Sequence, residues 1–198
     1  MLMVNWLYEV ITKLDLSLDT YFQSVQLIDT YYKICGLKAI YPPKEVLHLI
    51  GVACLFIANK YNDYKNLTTN FIVRNIVHDK YTEDSIIEME ANIFESLEYK
   101  LGSPTERTFA GVYCLILGIP LVQMEQIELQ SQINLHSYKL SQCDPALVAA
   151  GSILFALHDK LLIAELAKLS KHTEENVIKM AVFIESESII LNQCQRFK

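Results

Sequence analysis

Apolar residues recur along this chain at the spacing of helices, and no segment alternates polar and apolar residues as a half-buried strand does. Helix-breaking residues are rare and stand in clusters: Gly36, Pro42–Pro43, Gly102 and Pro104, Gly118 and Pro120, and Pro145. Between these breaks the pattern predicts helices at about 2–14, 17–35, 44–62, 67–78, 82–98, 105–117, 121–141, 146–159, 161–170 and 173–192. The pattern therefore predicts an all-α protein.

Residues that favour helix N-termini stand before several of these segments. Asp15 and Ser17 precede the second helix, and either side chain could cap it. Thr82 and Thr173 are each followed by two acidic residues, which suit the positive end of a helix dipole. These residues predict where three of the helices begin.

The predicted helices fall into two sets of five, which indicates an internal repeat of about 100 residues. When Gly51 is aligned with Gly151, LHLIGVACLFIANK (47–60) lies over LVAAGSILFALHDK (147–160) without a gap. Both segments are apolar nearly all round, as helices enclosed by other helices must be. Glycine inside a helix costs roughly 1 kcal/mol relative to alanine, so we expect another helix to cross close to each glycine. The predicted organisation is an N-terminal domain at 1–98, a linker at 99–104 and a C-terminal domain at 105–198.

The composition is that of a globular protein, since 52% of the 198 residues are hydrophobic and 20% are charged. The longest apolar run, Val52 to Ala58, is much shorter than the ~20 residues of a membrane span. No secretion signal is recognised, and the five cysteines are isolated and odd in number, so we expect reduced thiols in an intracellular protein. The net charge of −6 disfavours direct binding to nucleic acid.

The residue types needed for catalysis or metal binding do not cluster in the sequence. Neither the cysteines nor the five histidines have the spacing of metal ligands, and we expect no metal and no cofactor. The sequence contains no G-x-S-x-G motif, no phosphate-binding loop and no H-E-x-x-H pair. Glu88 and Glu90 do not converge, because residues two apart on a helix point to different sides. An enzyme is therefore the least favoured class.

Two charged residues do not fit a plain helical core. Lys60 ends an almost wholly apolar segment, where a lysine also suits the negative end of the helix dipole. Glu90 falls in the middle of an apolar stripe on the fifth helix, whereas Asp84, Glu88 and Glu95 fall on the opposite side. A carboxylate on an apolar face is costly unless it is paired. Glu90 is therefore either bonded internally or the polar anchor of a binding surface with an apolar centre.

Six segments of the chain are distinctive: VNWLYEV (4–10), QLIDTYY (26–32), LHLIGVACLFIANKY (47–61), YTEDSIIEMEANIFESLEYKLGSPT (81–105), PALVAAGSILFALHDK (145–160) and KHTEENVIKMAVFI (171–184). Taken together, these segments resemble the cyclin family, and the resemblance is closest to the A- and B-type mitotic cyclins. They match in order and spacing over nearly the whole chain. The resemblance implies two tandem five-helix cyclin-box folds, the first of which binds a kinase.

The resemblance further implies a regulatory subunit that binds and activates a cyclin-dependent Ser/Thr protein kinase in cell-cycle control, in the nucleus or cytoplasm. In the family, a lysine ending the third helix and a glutamate in the fifth grip the regulatory helix of the kinase. Those positions match Lys60 and Glu90 here. The positions implied to add apolar contacts are Ile57, Tyr61, Phe94, Tyr99 and Leu101.

A second surface implied by the resemblance docks substrates or inhibitors that carry an Arg-x-Leu motif. It carries over to Leu2, Met3, Trp6, Glu9, Leu47, His48 and Ile76. Such a peptide needs an acidic group beside an apolar slot, and Glu9 lies three residues after Trp6 on the same helical face. His48 stands where the family commonly has glutamine. Core packing is the alternative interpretation of Trp6, the only tryptophan.

Two other functions are compatible with a cyclin-like fold. General transcription factors of the TFIIB type use two cyclin-like repeats to bind promoter DNA and a TATA-binding protein. The acidic balance, the presence of only three arginines and the lack of a zinc ribbon argue against that function. The other alternative is a cyclin-fold adaptor that binds no kinase.

Overall fold

The chain is described by a computed structural model that covers residues 2–195. Its α-helices are α1 (Leu2–Leu14), α2 (Leu18–Leu37), α3 (Leu47–Asn62), α4 (Thr69–Phe71), α5 (Glu83–Ser96), α6 (Glu106–Leu117), α7 (Leu121–Asn134), α8 (Tyr138–Ser141), α9 (Pro145–Leu157), α10 (Ile163–Ser170) and α11 (Glu174–Gln195). Short 3₁₀ turns at Lys44–Val46 and Lys160–Leu162 lead into α3 and α10. No strand occurs within residues 2–195, and the predicted all-α fold class is confirmed.

The segment predicted as a helix at 67–78 is not a regular α-helix. The short α4 continues as a π-helical turn, Ile72–Ile76. The N–H of Val77 donates to the carbonyl of Ile72 at 3.0 Å, five residues back. The wider turn brings Ile72 and Val77, 1% and 4% exposed, to the same buried side.

The single helix predicted at 121–141 is divided after Asn134 into α7 and α8. Ser137 caps α8, since its side chain accepts a hydrogen bond from the N–H of Leu140 at 3.3 Å. Neither glycine nor proline stands at this break, so the pattern of helix breakers did not reveal it.

Side-chain caps begin the helices at the predicted places. Ser17, and not Asp15, caps α2 by accepting a hydrogen bond from the N–H of Thr20 at 3.2 Å. Thr82 and Thr173 each accept from an N–H three residues further on, also at 3.2 Å. The hydroxyls thus satisfy N–H groups that have no partner within the first turn.

The chain divides into two compact units, Met1–Ser103 and Pro104–Lys198. In the first unit α3 is buried along Leu49–Asn59 and contacts α1, α2 and α5. In the second unit most of Ala146–Leu154 in α9 is buried, and this helix contacts α6, α7, α10 and α11. Each helix that is apolar all round is therefore enclosed by the other helices of its own unit.

Another helix crosses close to each of the two aligned glycines, as predicted. A Cβ added to Gly51 would lie 2.4 Å from Sδ of Met3 in α1. A Cβ added to Gly151 would lie 2.5 Å from Cγ of Met180 in α11. The crossing helix is the first helix of one unit and the last helix of the other.

The cysteines whose side chains the structure describes are free thiols. Cys35, Cys54 and Cys114 are buried, and Cys143 is partly buried. Burial raises the pKa of the Cys114 thiol to about 11, which keeps it protonated and unreactive at neutral pH. Across residues 2–195, none of the helices has both the length and the apolar character needed to cross a membrane.

Candidate functional site

The α3 helix carries Lys60 from the core to the surface. The eleven residues before it are buried, whereas the Lys60 side chain is 37% exposed. Its ammonium lies 4.0 Å from the centre of the Phe56 ring, one turn earlier, in a cation–π contact. The same ammonium forms an ion pair with Glu90 of α5. Lys60 is thus held in one orientation by two contacts.

Glu90 is a partly buried carboxylate on the apolar face of α5. Ile86 and Ile93 on neighbouring turns are fully buried, and the Glu90 side chain is 12% exposed. The pair with Lys60 neutralises the carboxylate on this apolar face. The predicted solvent-facing residues are exposed: Asp84, Glu88 and Glu95. An internal partner for Glu90 is therefore present, and it is itself a residue that reaches the solvent.

Aromatic residues predicted to contact a partner accompany this ion pair. Tyr61 and Tyr99 are 60% and 70% exposed. Phe94 is half-buried and stacks on Tyr99, with ring centroids 6.0 Å apart and planes inclined by 22°. Leu101 is half-buried against the core. Ile57 differs from the expectation, because at 1% exposure it lies inside the core and supports the surface from beneath.

A polar cluster that the sequence analysis missed fixes the end of α3. Asp63 accepts hydrogen bonds from Thr20 Oγ1 at 2.6 Å, Ser17 N at 3.0 Å and Asn59 Nδ2 at 3.1 Å. Burial acts to raise the pKa of the Asp63 carboxyl, but these hydrogen bonds outweigh it and leave the pKa below its ordinary value. Asn59 is fully buried, and its Oδ1 accepts from the N–H of Leu67 at 2.7 Å. The last turn of α3 is thereby tied to the start of α2.

Two residues of the predicted docking patch, Trp6 and His48, come together from α1 and α3. Their rings meet edge to face with centroids 4.7 Å apart. Tyr81, which the sequence analysis did not include, also stacks on His48 at 5.6 Å. Burial, with the charge of Lys80 as the smaller cause, lowers the pKa of His48. The imidazole is therefore neutral at pH 7 and packs as a third aromatic ring.

The other predicted patch residues differ in exposure. Glu9 is exposed, Leu47 is 37% exposed, and Met3 and Ile76 are partly buried. Leu2 begins α1, but its side chain lies outside the described residues. Trp6 is partly buried and packs against the core cluster to which Ile72 and Ile86 belong, so it contributes to the core, and its role in a docking patch stays a prediction.

A second polar cluster, also missed from the sequence, lies inside the other unit. Oε1 of Glu106 accepts hydrogen bonds from Asn134 Nδ2 at 2.8 Å and Ser152 Oγ at 2.7 Å. Gln130 Nε2 donates in turn to Asn134 Oδ1 at 2.9 Å. Burial raises the pKa of Glu106 to about 7, although Ser152, Asn134 and Ser131 act to lower it. A largely buried carboxyl group therefore titrates near neutral pH in this unit.

Metal-ligand geometry is not found in the part of the chain that the structure describes. Within it, no group of three or more His, Cys, Asp or Glu side chains could hold a metal ion. The arrangement around Lys60 and Glu90 suits binding to a protein surface, because it places two charges beside exposed aromatic rings.

Sequence comparison finds that the family described as "Cyclin, N-terminal domain" matches residues 1–102. A G2/mitotic-specific cyclin-B from Arbacia punctulata is 30% identical over 158 residues, covering 79% of this chain and 37% of that protein. The G2/mitotic-specific cyclin C13-1 from Daucus carota is 27% identical, covering 78% of this chain and 45% of its own length. The Arabidopsis thaliana protein Cyclin-A2-1 is 28% identical, and the alignment covers 78% of this chain and 35% of that protein. This chain spans less than half the length of these three relatives.

Structural comparison finds a viral cyclin from herpesvirus saimiri with a TM-score of 0.76. The alignment covers 94% of this chain and 83% of the viral chain at 21% sequence identity. At this level of identity the similarity concerns the fold alone, and it agrees with the cyclin fold expected from the sequence.

Proposed function

Because this chain belongs to the cyclin family, we propose that it is a regulatory subunit that binds and activates a cyclin-dependent Ser/Thr protein kinase. The observation that carries the proposal is the ion pair of Lys60 and Glu90, because the resemblance matches these two residues to the positions that grip the regulatory helix of the kinase. Relatives named as mitotic cyclins favour cell-cycle control as the process. The protein acts by binding and contributes no catalytic group.

The geometry of the pair suits a partner that offers backbone groups at a helix end. The last carbonyls of a helix have no intrahelical partner, and an ammonium can donate three hydrogen bonds. The Lys60 ammonium pairs with Glu90, and 37% of the Lys60 side chain is exposed. It can therefore donate to carbonyls of a docking helix while it stays paired, and the Glu90 carboxylate can accept an N–H.

Apolar contact comes from the neighbouring rings. Tyr61 and Tyr99 project from the surface, and Phe94 supports Tyr99 by stacking. Large aromatic side chains beside a few polar anchors contribute much of the binding energy of protein interfaces. This composition favours a helix with one apolar face as the partner.

The proposal is tested with purified protein and the cyclin-dependent kinases of its own organism. We expect kinase activity on histone to rise by orders of magnitude, and a pull-down from native lysate to recover the kinase by mass spectrometry. If none of these kinases binds at micromolar concentration, the proposal fails. A salt-dependent gel shift with promoter DNA would favour a TFIIB-type function instead.

We also propose that the patch around Trp6 docks substrates or inhibitors that carry an Arg-x-Leu motif. The contact between Trp6 and His48 and the exposure of Leu47 support an apolar slot for the leucine. Glu9 is exposed on α1 and can pair with the arginine of such a peptide.

A further inference from the structure

The proposed kinase contacts come from two stretches that are distant in the sequence. Lys60 and Tyr61 belong to the last turn of α3, whereas Tyr99 and Leu101 belong to the segment that follows α5. A partner that needs both stretches requires them to be held at a fixed separation. A single buried side chain of α2, Gln23, contacts both.

Gln23 uses both ends of its amide. It is 5% exposed, and its Nε2 donates to the carbonyl of Leu101 at 2.9 Å. Its Oε1 accepts from Asn62 Nδ2 at 2.6 Å, in the last turn of α3. The two bonds connect the end of α3 to the segment after α5 through one side chain.

The segment after α5 depends on such contacts for its conformation. Glu98 and Tyr99 both adopt left-handed backbone angles, with φ of 52° and 59°. Residues other than glycine hold such angles only where the surroundings impose them. Gly102 supplies a second point of contact, since a Cβ there would lie 2.8 Å from the hydroxyl of Tyr61. The hydrogen bond from Gln23 to Leu101 lies between these two features in the sequence.

We propose that Gln23 is a positioning residue that holds the Tyr99–Leu101 segment against the end of α3, so that both parts of the kinase-binding surface are presented together. The inference rests on the proposed function. An amide is required because it combines a donor and an acceptor. Glutamate would accept from Asn62 but repel the Leu101 carbonyl, and methionine would fill the space without forming either bond.

The test compares three variants of the full chain in kinase binding. Gln23→Met removes both bonds, and Gln23→Glu removes the bond to Leu101 while it keeps an acceptor for Asn62. Ser24→Ala is the matched control, because Ser24 is fully buried one residue further on and donates to the Thr20 carbonyl within α2 at 2.6 Å. We expect both Gln23 variants to bind the kinase at least tenfold more weakly, and Ser24→Ala to stay within about threefold of the wild type.

Two further measurements separate positioning from a general structural role. Tyr99→Ala should weaken the wild type but change binding little in the Gln23→Met background, whereas the effect of Lys60→Ala should remain additive. In the unbound protein, amide exchange at residues 99–103 should be at least tenfold faster in the Gln23 variants. Exchange in α9, which lies in the other unit, should not change.

The results that overturn the inference are distinct from those that overturn the proposed function. A folded Gln23→Met variant that binds like the wild type, or effects of Gln23 and Tyr99 that simply add, would overturn the positioning role. If the wild type binds no kinase, the proposed function fails. Unchanged amide exchange at residues 99–103 in the Gln23 variants would show separately that Gln23 does not hold this segment in place. Should Gln23→Met not fold, Gln23→Glu and Asn62→Ala, which each break one bond, provide the same comparison.

Discussion

Replacing Glu106 by glutamine is expected to remove a pH dependence from the stability of the second unit. Glu106 is only 9% exposed, and its hydrogen bonds come from uncharged groups, Asn134 and Ser152. Burial therefore raises its pKa from the ordinary 4.5 to about 7. Glutamine keeps the shape and the acceptor oxygen for Asn134 and Ser152, and it carries no proton that can be released.

The sign of the effect follows from where the proton is bound. Between pH 4.5 and about 7 the folded state holds a proton on Glu106 that the unfolded state has released, so the free energy of unfolding falls as the pH rises. Above about pH 7 both states are ionised at this group and the loss is complete. One pKa unit corresponds to about 1.36 kcal/mol, so the full loss is roughly 3 kcal/mol and the part between pH 5.5 and 8 is roughly 2 kcal/mol.

Amide hydrogen exchange measures this stability in each unit separately. The opening free energy of α9 (Pro145–Leu157), corrected for the intrinsic exchange rate, reports on the second unit, and that of α3 (Leu47–Asn62) is an internal control. We expect α9 in the wild type to be less stable at pH 8 than at pH 5.5, and the advantage of Glu106→Gln over the wild type to grow by about 2 kcal/mol between these two pH values. Glu175→Gln, a matched change at an exposed carboxylate of the same unit, should behave like the wild type.

The difference between the wild type and Glu106→Gln isolates this one carboxyl group. Every other ionisable group of the second unit is present in both proteins and cancels in the comparison. Equal pH dependence of α9 in the two proteins would therefore refute the reasoning, as would a wild-type α9 whose stability does not change between pH 5.5 and 8.

Three other predictions concern the proposed surfaces and the helix crossings. Lys60→Ala should weaken kinase binding at least tenfold with little change in the melting temperature of the free protein, and its effect on binding should be coupled to that of Glu90→Gln in a double-mutant cycle. If both single variants fail to fold, the ion pair between Lys60 and Glu90 has a purely structural role. Trp6→Ala should reduce the phosphorylation only of substrates that carry an Arg-x-Leu motif. An equal loss with substrates that lack the motif would contradict the proposed docking patch. Calorimetry should show that Gly151→Ala costs more stability than Gly51→Ala, by about 1–2 kcal/mol, because only at Gly51 is the nearest atom the flexible end of a methionine side chain; equal costs would contradict this.

The helices were predictable because apolar spacing and helix breakers mark most of their ends. The exceptions have local causes that the pattern does not carry. The break after Asn134 has no glycine or proline, and it coincides with a side chain that turns inward to Glu106. The π-helical turn at Ile72–Ile76 keeps two apolar residues buried at a spacing that an α-helix would not allow.

The candidate site was predictable where a charge stood out against apolar neighbours. Glu90 was recognised because it interrupts an apolar stripe, and its partner Lys60 because it ends one. Gln23, Asn59 and Glu106 carried no such signal. A polar residue on a helix has the same pattern whether it faces water or a polar group of another helix, and only the packing of the helices distinguishes the two cases.

The aligned glycines show how much a sequence repeat determines. Gly51 and Gly151 predicted that each enclosed helix is crossed closely by another, since an unfavourable residue is kept only where a Cβ would collide. The crossing at Gly51 comes from Met3 of α1 and the crossing at Gly151 from Met180 of α11. The repeat therefore predicts that a helix crosses close to each glycine, but it does not predict which helix of the unit this is. In the first unit this places α1, with Trp6, directly against the start of α3, with His48, which brings the two aromatic residues of the proposed docking patch together.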